Sequence, residues 1–140
     1  MMPIARARIV IVTIGASLGG TAIVGLLNPL FVVRLAGFSL ADPASPYQFS
    51  EVRAVYGGLF GVIGVFTMLS AIDPVASRGR LVALGWCWLG LAGGRLLGVM
   101  LDGNPGLQGW TFVAWEMAAG VLLLACTILV SRPSARPAAA

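Results

Sequence analysis

The chain has 140 residues, of which 59% are hydrophobic and only 10% are charged. Soluble domains carry roughly a quarter charged residues, so this composition cannot coat a water-soluble surface. The formal charge of +4 arises from nine arginines against five acids. The arginines lie singly or in pairs at the ends of apolar runs, which is typical of a membrane protein and argues against a nucleic-acid partner.

The potential metal and haem ligands are few. Histidine is absent, and Cys87 and Cys126 each lie inside an apolar run without a second thiol nearby. Zinc sites and haem sites of the usual kinds need such ligands in groups. The sequence therefore predicts no metal site and no cofactor, and it favours two unpaired cysteines that pack as small apolar residues.

Four apolar runs follow one another along the chain, and each has about the 20 residues that cross a bilayer. They cover residues 9–33, 52–72, 81–101 and 110–130. They predict an all-α fold, an integral membrane bundle of four transmembrane helices. We expect a single domain over residues 1–131 and a flexible cytoplasmic tail over residues 132–140.

The segments between the runs carry turn-forming residues, namely Asp42-Pro43, Asp73-Pro74 and the run from Asp102 to Gly106. The first run follows a basic start, as a signal peptide would. It is much longer than the roughly 7–15 residues of a signal-peptide core, so we expect a retained span.

The arginines are divided unevenly between the two predicted sides of the membrane. The side that carries both termini holds Arg6, Arg8, Arg78, Arg80, Arg132 and Arg136, and the other holds Arg34 and Arg53. Arginine is enriched in cytoplasmic loops. The sequence therefore predicts a multi-pass protein of the bacterial inner membrane with both termini in the cytoplasm.

Each predicted helix carries one polar or charged residue at a similar depth. These residues are Asn28, Tyr56, Arg95 and Glu116. They lie about 9–10 Å below the non-cytoplasmic surface at a rise of 1.5 Å per residue. Glu51, Arg53 and Asp102 form a second tier nearer that surface.

The two tiers predict a pocket that opens toward the non-cytoplasmic side. The cytoplasmic halves of the helices are expected to pack against one another without water between them. Within the deeper tier we expect Arg95 to pair with Glu116, with Asp102 as the rival partner, because an unpaired charge is costly in lipid. A functional pocket and a purely structural ion pair both remain open as interpretations.

Small and polar residues align along each helix at the helical period. The seams are Thr13, Ser17, Thr21, Gly25 and Asn28 on the first helix, Arg53, Gly57, Gly61 and Gly64 on the second with Tyr56 flanking them, Leu91, Arg95, Gly98 and Asp102 on the third beside the glycines Gly90 and Gly94, and Glu116, Gly120 and Thr127 on the fourth. Small residues mark close helix contacts in lipid, so these seams are expected to face one another. Trp86, Trp88 and Trp115 are expected to face lipid or to pack, rather than to contact a ligand.

The segment from Glu51 to Gly58, E-V-R-A-V-Y-G-G, resembles the E-x-R-A-x-Y-G-G signature of a small bacterial four-helix membrane family, the domain of unknown function 4345. Asn28-Pro29, Gly94-Arg95, Asp102-Gly103 and Glu116 also resemble that family's pattern. The likeness covers nearly the whole chain except its tail. It implies the four-helix fold and a membrane location, and it brings no reaction, ligand or cofactor.

Three kinds of function fit these residues. The favoured one is the binding of a lipid, isoprenoid, quinone or other amphiphile between the helices, with Arg95 or Arg53 contacting its polar head. The second is a small membrane enzyme in which Glu116 is the acid or base, Tyr56 a hydrogen-bond donor and Arg95 their charged neighbour. The third is an accessory subunit of a larger membrane complex, or a homodimer, whose glycine faces contact the partner.

Overall fold

The computed structural model describes residues 4–37 and 46–130, and the regular secondary structure in these residues is entirely helical. The five helices are α1 (Ile4–Leu27), α2 (Pro29–Leu35), α3 (Pro46–Ser70), α4 (Arg78–Asp102) and α5 (Gly106–Leu129). All except α2 are long and apolar enough to cross a membrane. The predicted all-α fold with four membrane-length helices is therefore confirmed. The predicted tail, Arg132, Arg136 and the Asp42-Pro43 segment lie outside the described residues.

The first predicted span is divided into two helices. Helix α1 ends at Leu27 instead of continuing to residue 33, because Pro29 has no N–H to donate and its ring clashes with the preceding turn. The side chain of Asn28 accepts a hydrogen bond from the backbone N–H of Phe31 at 3.2 Å. Asn28 thus caps the short helix α2, which begins at Pro29.

Helix α3 begins before its predicted start and contains a π-helical segment. Pro46–Val52 and Phe60–Ser70 are α-helical, and Arg53–Leu59 between them is π-helical. A π-helical turn holds more residues than an α-helical turn, so it shifts the direction of the side chains that follow it. Most of the family-like segment from Glu51 to Gly58 lies in this wider part of the helix.

The long helices form two closely packed pairs, α1 with α3 and α4 with α5, and the two pairs contact each other far less. Glycines allow the close approach within each pair. A Cβ atom on Gly64 would lie 2.9 Å from the backbone nitrogen of Gly19, and one on Gly120 would lie 3.0 Å from the carbonyl oxygen of Gly85. The expectation that the α3 and α5 seams face neighbouring helices is confirmed at these positions.

The two glycines expected beside the α4 seam, Gly90 and Gly94, do not pack against a neighbouring helix in the described part of the chain. A Cβ atom on Gly90 or Gly94 would have no neighbouring atom within 4 Å, and Gly85 makes the contact with α5 instead. Gly90 and Gly94 lie on the side of α4 opposite Gly85 at 100° per residue. Helix α4 has glycines on both sides, so periodicity alone does not identify the packed side. Cys87 is also exposed, whereas Cys126 is buried.

The end of the bundle near residues 7–11 and 71–81 is densely packed. Ile11, Leu81 and Leu123 have no exposed surface there. The buried hydroxyls of Thr67, Ser70 and Thr127 donate hydrogen bonds to carbonyl oxygens of their own helices, at distances of 2.7–2.8 Å. The exterior remains apolar, with Met100 and Leu107 more than four-fifths exposed at 81% and 86%. Such a surface suits lipid rather than water.

Candidate functional site

An ion pair joins α4 to α5 at the other end of the bundle. The Nε–H group of Arg95 donates to both carboxylate oxygens of Glu116, at 2.8 Å and 2.9 Å. The side chain of Glu116 is only 4% exposed, and that of Arg95 is 34% exposed. The predicted pair is confirmed, whereas the rival, Asp102, is exposed and makes no ion pair with the described residues.

The guanidinium group of Arg95 has further donors that remain available. Its Cζ lies 5.1 Å from the centroid of the Phe112 ring, which is a cation–π distance. Nε makes both bonds to Glu116, and no hydrogen bond joins Nη1 or Nη2 to the residues that the structure describes. These two nitrogens carry four N–H bonds. The pair therefore has little net charge but offers hydrogen-bond donors.

A cavity of about 100 Å³ lies beside this pair. Residues of all five helices, or directly after them, line it: Ser17, Leu18, Thr21, Val32, Leu35, Ala36, Tyr56, Phe60, Trp88, Arg95, Phe112, Trp115 and Glu116. The cavity thus lies where the two helix pairs meet. Apart from the ion pair and the Ser, Thr and Tyr hydroxyls, its walls are aliphatic or aromatic.

Helix α2 covers one side of this cavity. Ser17 and Leu35 line the same small space although they are eighteen positions apart. A straight helix would separate them by about 27 Å, so the chain folds back after Asn28. The side-chain amide of Gln108 on α5 donates a hydrogen bond to the carbonyl oxygen of Leu35. This bond fastens the end of α2 to the second helix pair.

The seven residues proposed from the sequence fall into three groups. Tyr56, Arg95 and Glu116 line the cavity. Arg95 also lines a second hollow of about 330 Å³, together with Asp102 and the turn between α4 and α5. Asn28, Glu51 and Arg53 line neither space.

Two of the residues outside the cavity stabilise the bend instead. Nε of Arg53 donates to the carbonyl oxygen of Leu26 at 3.2 Å. The helix break at Pro29 leaves carbonyl groups of the last turn of α1 without their usual partners. Arg53 satisfies one of these groups and Asn28 caps α2, whereas Glu51 is exposed.

Apart from Tyr56, the aromatic part of the cavity wall was not predicted as a ligand contact. Trp88 is 4% exposed and meets Trp115 edge to face, with ring centroids 6.4 Å apart and an interplanar angle of 86°. Nε1 of Trp88 is buried without a hydrogen-bond partner among the described residues. A signal was present in the sequence, because Trp88 precedes Arg95 by seven positions and Phe112 precedes Glu116 by four, which are same-face spacings.

The chemistry available at the site is hydrogen bonding and aromatic contact. Both carboxylate oxygens of Glu116 accept a hydrogen bond from Arg95, so this carboxylate is the acidic member of an ion pair. Among the described residues, no group of three or more His, Cys, Asp or Glu side chains lies close enough to hold a metal ion.

Four membrane-length helices, arranged as two pairs with a partly polar cavity between them, indicate a polytopic helical membrane protein. The sequence model of the family described as "Domain of unknown function (DUF4345)" matches residues 6–127, which is nearly the whole chain. The chain therefore belongs to this family, as the resemblance at Glu51 to Gly58 predicts. No curated protein and no solved structure matches the chain.

Proposed function

We propose that the protein binds a lipid, isoprenoid, quinone or other amphiphile in the cavity between its two helix pairs. The observation that carries the proposal is the composition of the cavity wall, where aliphatic and aromatic side chains surround the Arg95–Glu116 pair. Ligand sites are typically apolar spaces with a few convergent polar groups. The position of this one within membrane-length helices favours a ligand that itself resides in the bilayer.

The volume of the cavity limits what enters it. Pockets for whole drug-sized ligands measure roughly 300–1,000 Å³, whereas an apolar cavity of about 150 Å³ holds a single benzene ring. The 100 Å³ found here is smaller than that, so the cavity encloses only part of a ring or a small head group, and the rest of the ligand lies outside it. The apolar tail of the ligand would lie along the loosely packed boundary between the helix pairs.

The energetic cost of the ion pair supports a role beyond stability. A charged residue at the centre of a transmembrane helix costs roughly 2.5–3.5 kcal/mol on insertion scales and somewhat less at the intermediate depth of this pair, whereas an interhelical hydrogen bond returns only about 0.6 kcal/mol on average. Arg95 is also one-third exposed, so the pair is not sealed inside a close-packed core. A ligand that contacts Arg95 gives this arrangement a function.

Native mass spectrometry of the gently extracted protein tests the proposal. Wild-type protein is expected to carry a bound amphiphile. Thr21→Phe places a large ring into the cavity wall and is expected to abolish that adduct. Thr13→Phe makes the same change on an exposed position of α1 outside the lining, so this control is expected to retain the adduct. An adduct of equal intensity in both variants would contradict the proposed site.

We also propose that the protein resides in the bacterial inner membrane with both termini in the cytoplasm. Among the described residues, Arg6, Arg8, Arg78 and Arg80 lie toward one end of the bundle and Arg34 and Arg53 toward the other. The first group would face the cytoplasm under the positive-inside rule. Nη2 of Arg8 donates to the carbonyl oxygen of Ile72 at 2.8 Å, which supports a common side for the N-terminus and the α3–α4 turn.

Cysteine labelling in intact cells tests this orientation. In a background without Cys87 and Cys126, single cysteines would replace the exposed residues Ala76 and Leu107. An impermeant reagent is expected to label the cysteine at Leu107 and to leave the one at Ala76 unlabelled until the cells are opened. The reverse pattern would contradict the orientation.

A second candidate function, an accessory subunit of a larger membrane complex, is favoured by one observation. Gly90, Gly93 and Gly94 of α4 have open space where a side chain would begin, and small residues permit close helix contact in lipid. Native mass spectrometry of the wild-type protein would then detect a bound companion chain. In Gly94→Leu the larger side chain would block this contact, and the companion chain would be lost. A native mass spectrum in which the wild-type protein has no companion chain would contradict this candidate function.

A further inference from the structure

We infer that the ligand's polar end is an uncharged, planar ring that carries carbonyl oxygens, as in a quinone. The inference rests on the proposed function and narrows it from amphiphiles in general to one chemical class. It follows from three properties of the cavity wall: its charge balance, the shape of its side chains and its hydrogen-bond donors.

Charge balance argues against a charged head group. Arg95 and Glu116 are the two charged residues in the lining, and they are joined by contacts of 2.8 Å and 2.9 Å. A phosphate or carboxylate that approaches Arg95 would therefore also approach the buried carboxylate of Glu116. An ammonium group would meet the guanidinium of Arg95 in the same way. A neutral head group avoids both repulsions.

The shape of the wall favours a flat ring. Five of the lining side chains are aromatic, namely Tyr56, Phe60, Trp88, Phe112 and Trp115. The rings of Trp88 and Trp115 are nearly perpendicular, so they present a face and an edge at neighbouring points of the wall. Aromatic rings prefer such stacked and edge-to-face contacts. A flat ring would make both contacts at once.

The donors favour a ligand that accepts hydrogen bonds. Nη1 and Nη2 of Arg95 have no partner among the described residues, whereas both oxygens of Glu116 are engaged by Nε. Guanidinium N–H groups only donate. A ring carbonyl is a neutral acceptor of the right kind, and it leaves the Arg95–Glu116 pair intact.

Tryptophan fluorescence offers a direct test, because quinones quench tryptophan on contact. Trp86→Phe and Trp110→Phe remove the two tryptophans that are outside the lining, so the emission comes from Trp88 and Trp115. Decylubiquinone is the probe, and dioctanoyl phosphatidylglycerol and decanol are the anionic and ring-free competitors. We expect saturable quenching at one quinone per chain, with a Kd at least tenfold below the inhibition constants of both competitors.

Two variants check that the signal arises from the cavity. Thr21→Phe in the same background is expected to raise the Kd for decylubiquinone at least tenfold, whereas Thr13→Phe should leave it unchanged. Glu116→Gln removes the compensating carboxylate, so it is expected to shift the preference toward phosphatidylglycerol at least tenfold. The titrations of the protein that retains Glu116 decide the question even if Glu116→Gln fails to fold.

The possible outcomes separate this inference from the proposed function. If phosphatidylglycerol competes as well as or better than the quinone binds, the ligand class is wrong and amphiphile binding stands. Quenching that Thr21→Phe leaves unaltered would reflect quinone dissolved in the detergent and would overturn the inference. If no probe binds saturably and the native protein carries no amphiphile, both the inference and the proposed function fail.

Discussion

The two ends of the bundle are built differently. At the end near the α3–α4 turn, Ile11, Leu81 and Leu123 close the space between the helix pairs, and no surface of these side chains is exposed. At the opposite end the same helix pairs are separated by a cavity beside the Arg95–Glu116 pair. The two helix pairs are therefore able to pack densely, and the cavity is a local feature of one end rather than a sign of a loose bundle.

The side chains at the open end differ in kind from those at the closed end. Bulky aromatic rings, those of Trp88, Phe112 and Trp115 among them, line the cavity at this end. The Arg95–Glu116 pair cannot be compressed without losing its hydrogen-bond geometry.

The ion pair should give the largest effect on stability. Arg95→Gln and Glu116→Gln each leave one charge without its partner, so each is expected to lower the free energy of unfolding by about 3 kcal/mol, at the lower end for buried pairs because Arg95 is one-third exposed. The double replacement should cost clearly less than the two single costs combined. Steric trapping in lipid bicelles measures these free energies. Simple additivity would mean that the two residues do not interact.

Leucine truncation tests the density of the closed end. Leu123→Ala removes a side chain with no exposed surface and is expected to cost about 2 kcal/mol, the lower end of the usual range because lipid is as apolar as the core. The neighbouring Leu122 is 45% exposed, so Leu122→Ala should cost about 0.5 kcal/mol or less. The same unfolding measurement applies. Equal costs at the two positions would contradict a close-packed end.

Glycine substitutions compare a packed helix face with an open one. A Cβ on Gly64 would clash with the backbone of α1, so Gly64→Ala is expected to cost about 1–2 kcal/mol. No atom lies within 4 Å of a Cβ on Gly93, so Gly93→Ala should stabilise the helix by up to about 1 kcal/mol. A destabilising Gly93→Ala would indicate that this face of α4 contacts another chain.

The smallest effect is expected at the bend. Asn28→Ala removes the cap of α2 and should cost about 1 kcal/mol. Because α2 covers the cavity, the same change should also weaken amphiphile binding, measured by the quenching titration. Asn28→Ser keeps an oxygen that can cap the helix and serves as the control. A loss of stability without any loss of binding would show that α2 does not help to hold the ligand.

Some features of the molecule are readable from the sequence because membrane physics constrains them strongly. A bilayer of fixed thickness requires apolar runs of about 20 residues, so the four long helices can be predicted from the sequence. Charges in lipid must be paired, which identifies Arg95 and Glu116 once their depths agree. The resemblance at Glu51 to Gly58 identifies the family.

Other features are not readable because one sequence pattern is compatible with two structures. Pro29 permits either a kinked span or a chain that folds back, so α2 does not follow from the sequence. Asn28 and Arg53 look like pocket residues at their depth, yet they satisfy backbone groups at the bend. Trp88 and Trp115 suit lipid as well as a cavity wall, so composition cannot place them.

An experimental structure of the protein in nanodiscs made with its native lipids would show whether an amphiphile occupies the cavity between the helix pairs. We expect density for a flat group beside Trp88 and Trp115, within hydrogen-bond distance of Arg95, and for an elongated tail between the helix pairs. Helix pairs that close over this region, with their own side chains filling the space around Glu116, would contradict amphiphile binding in the cavity.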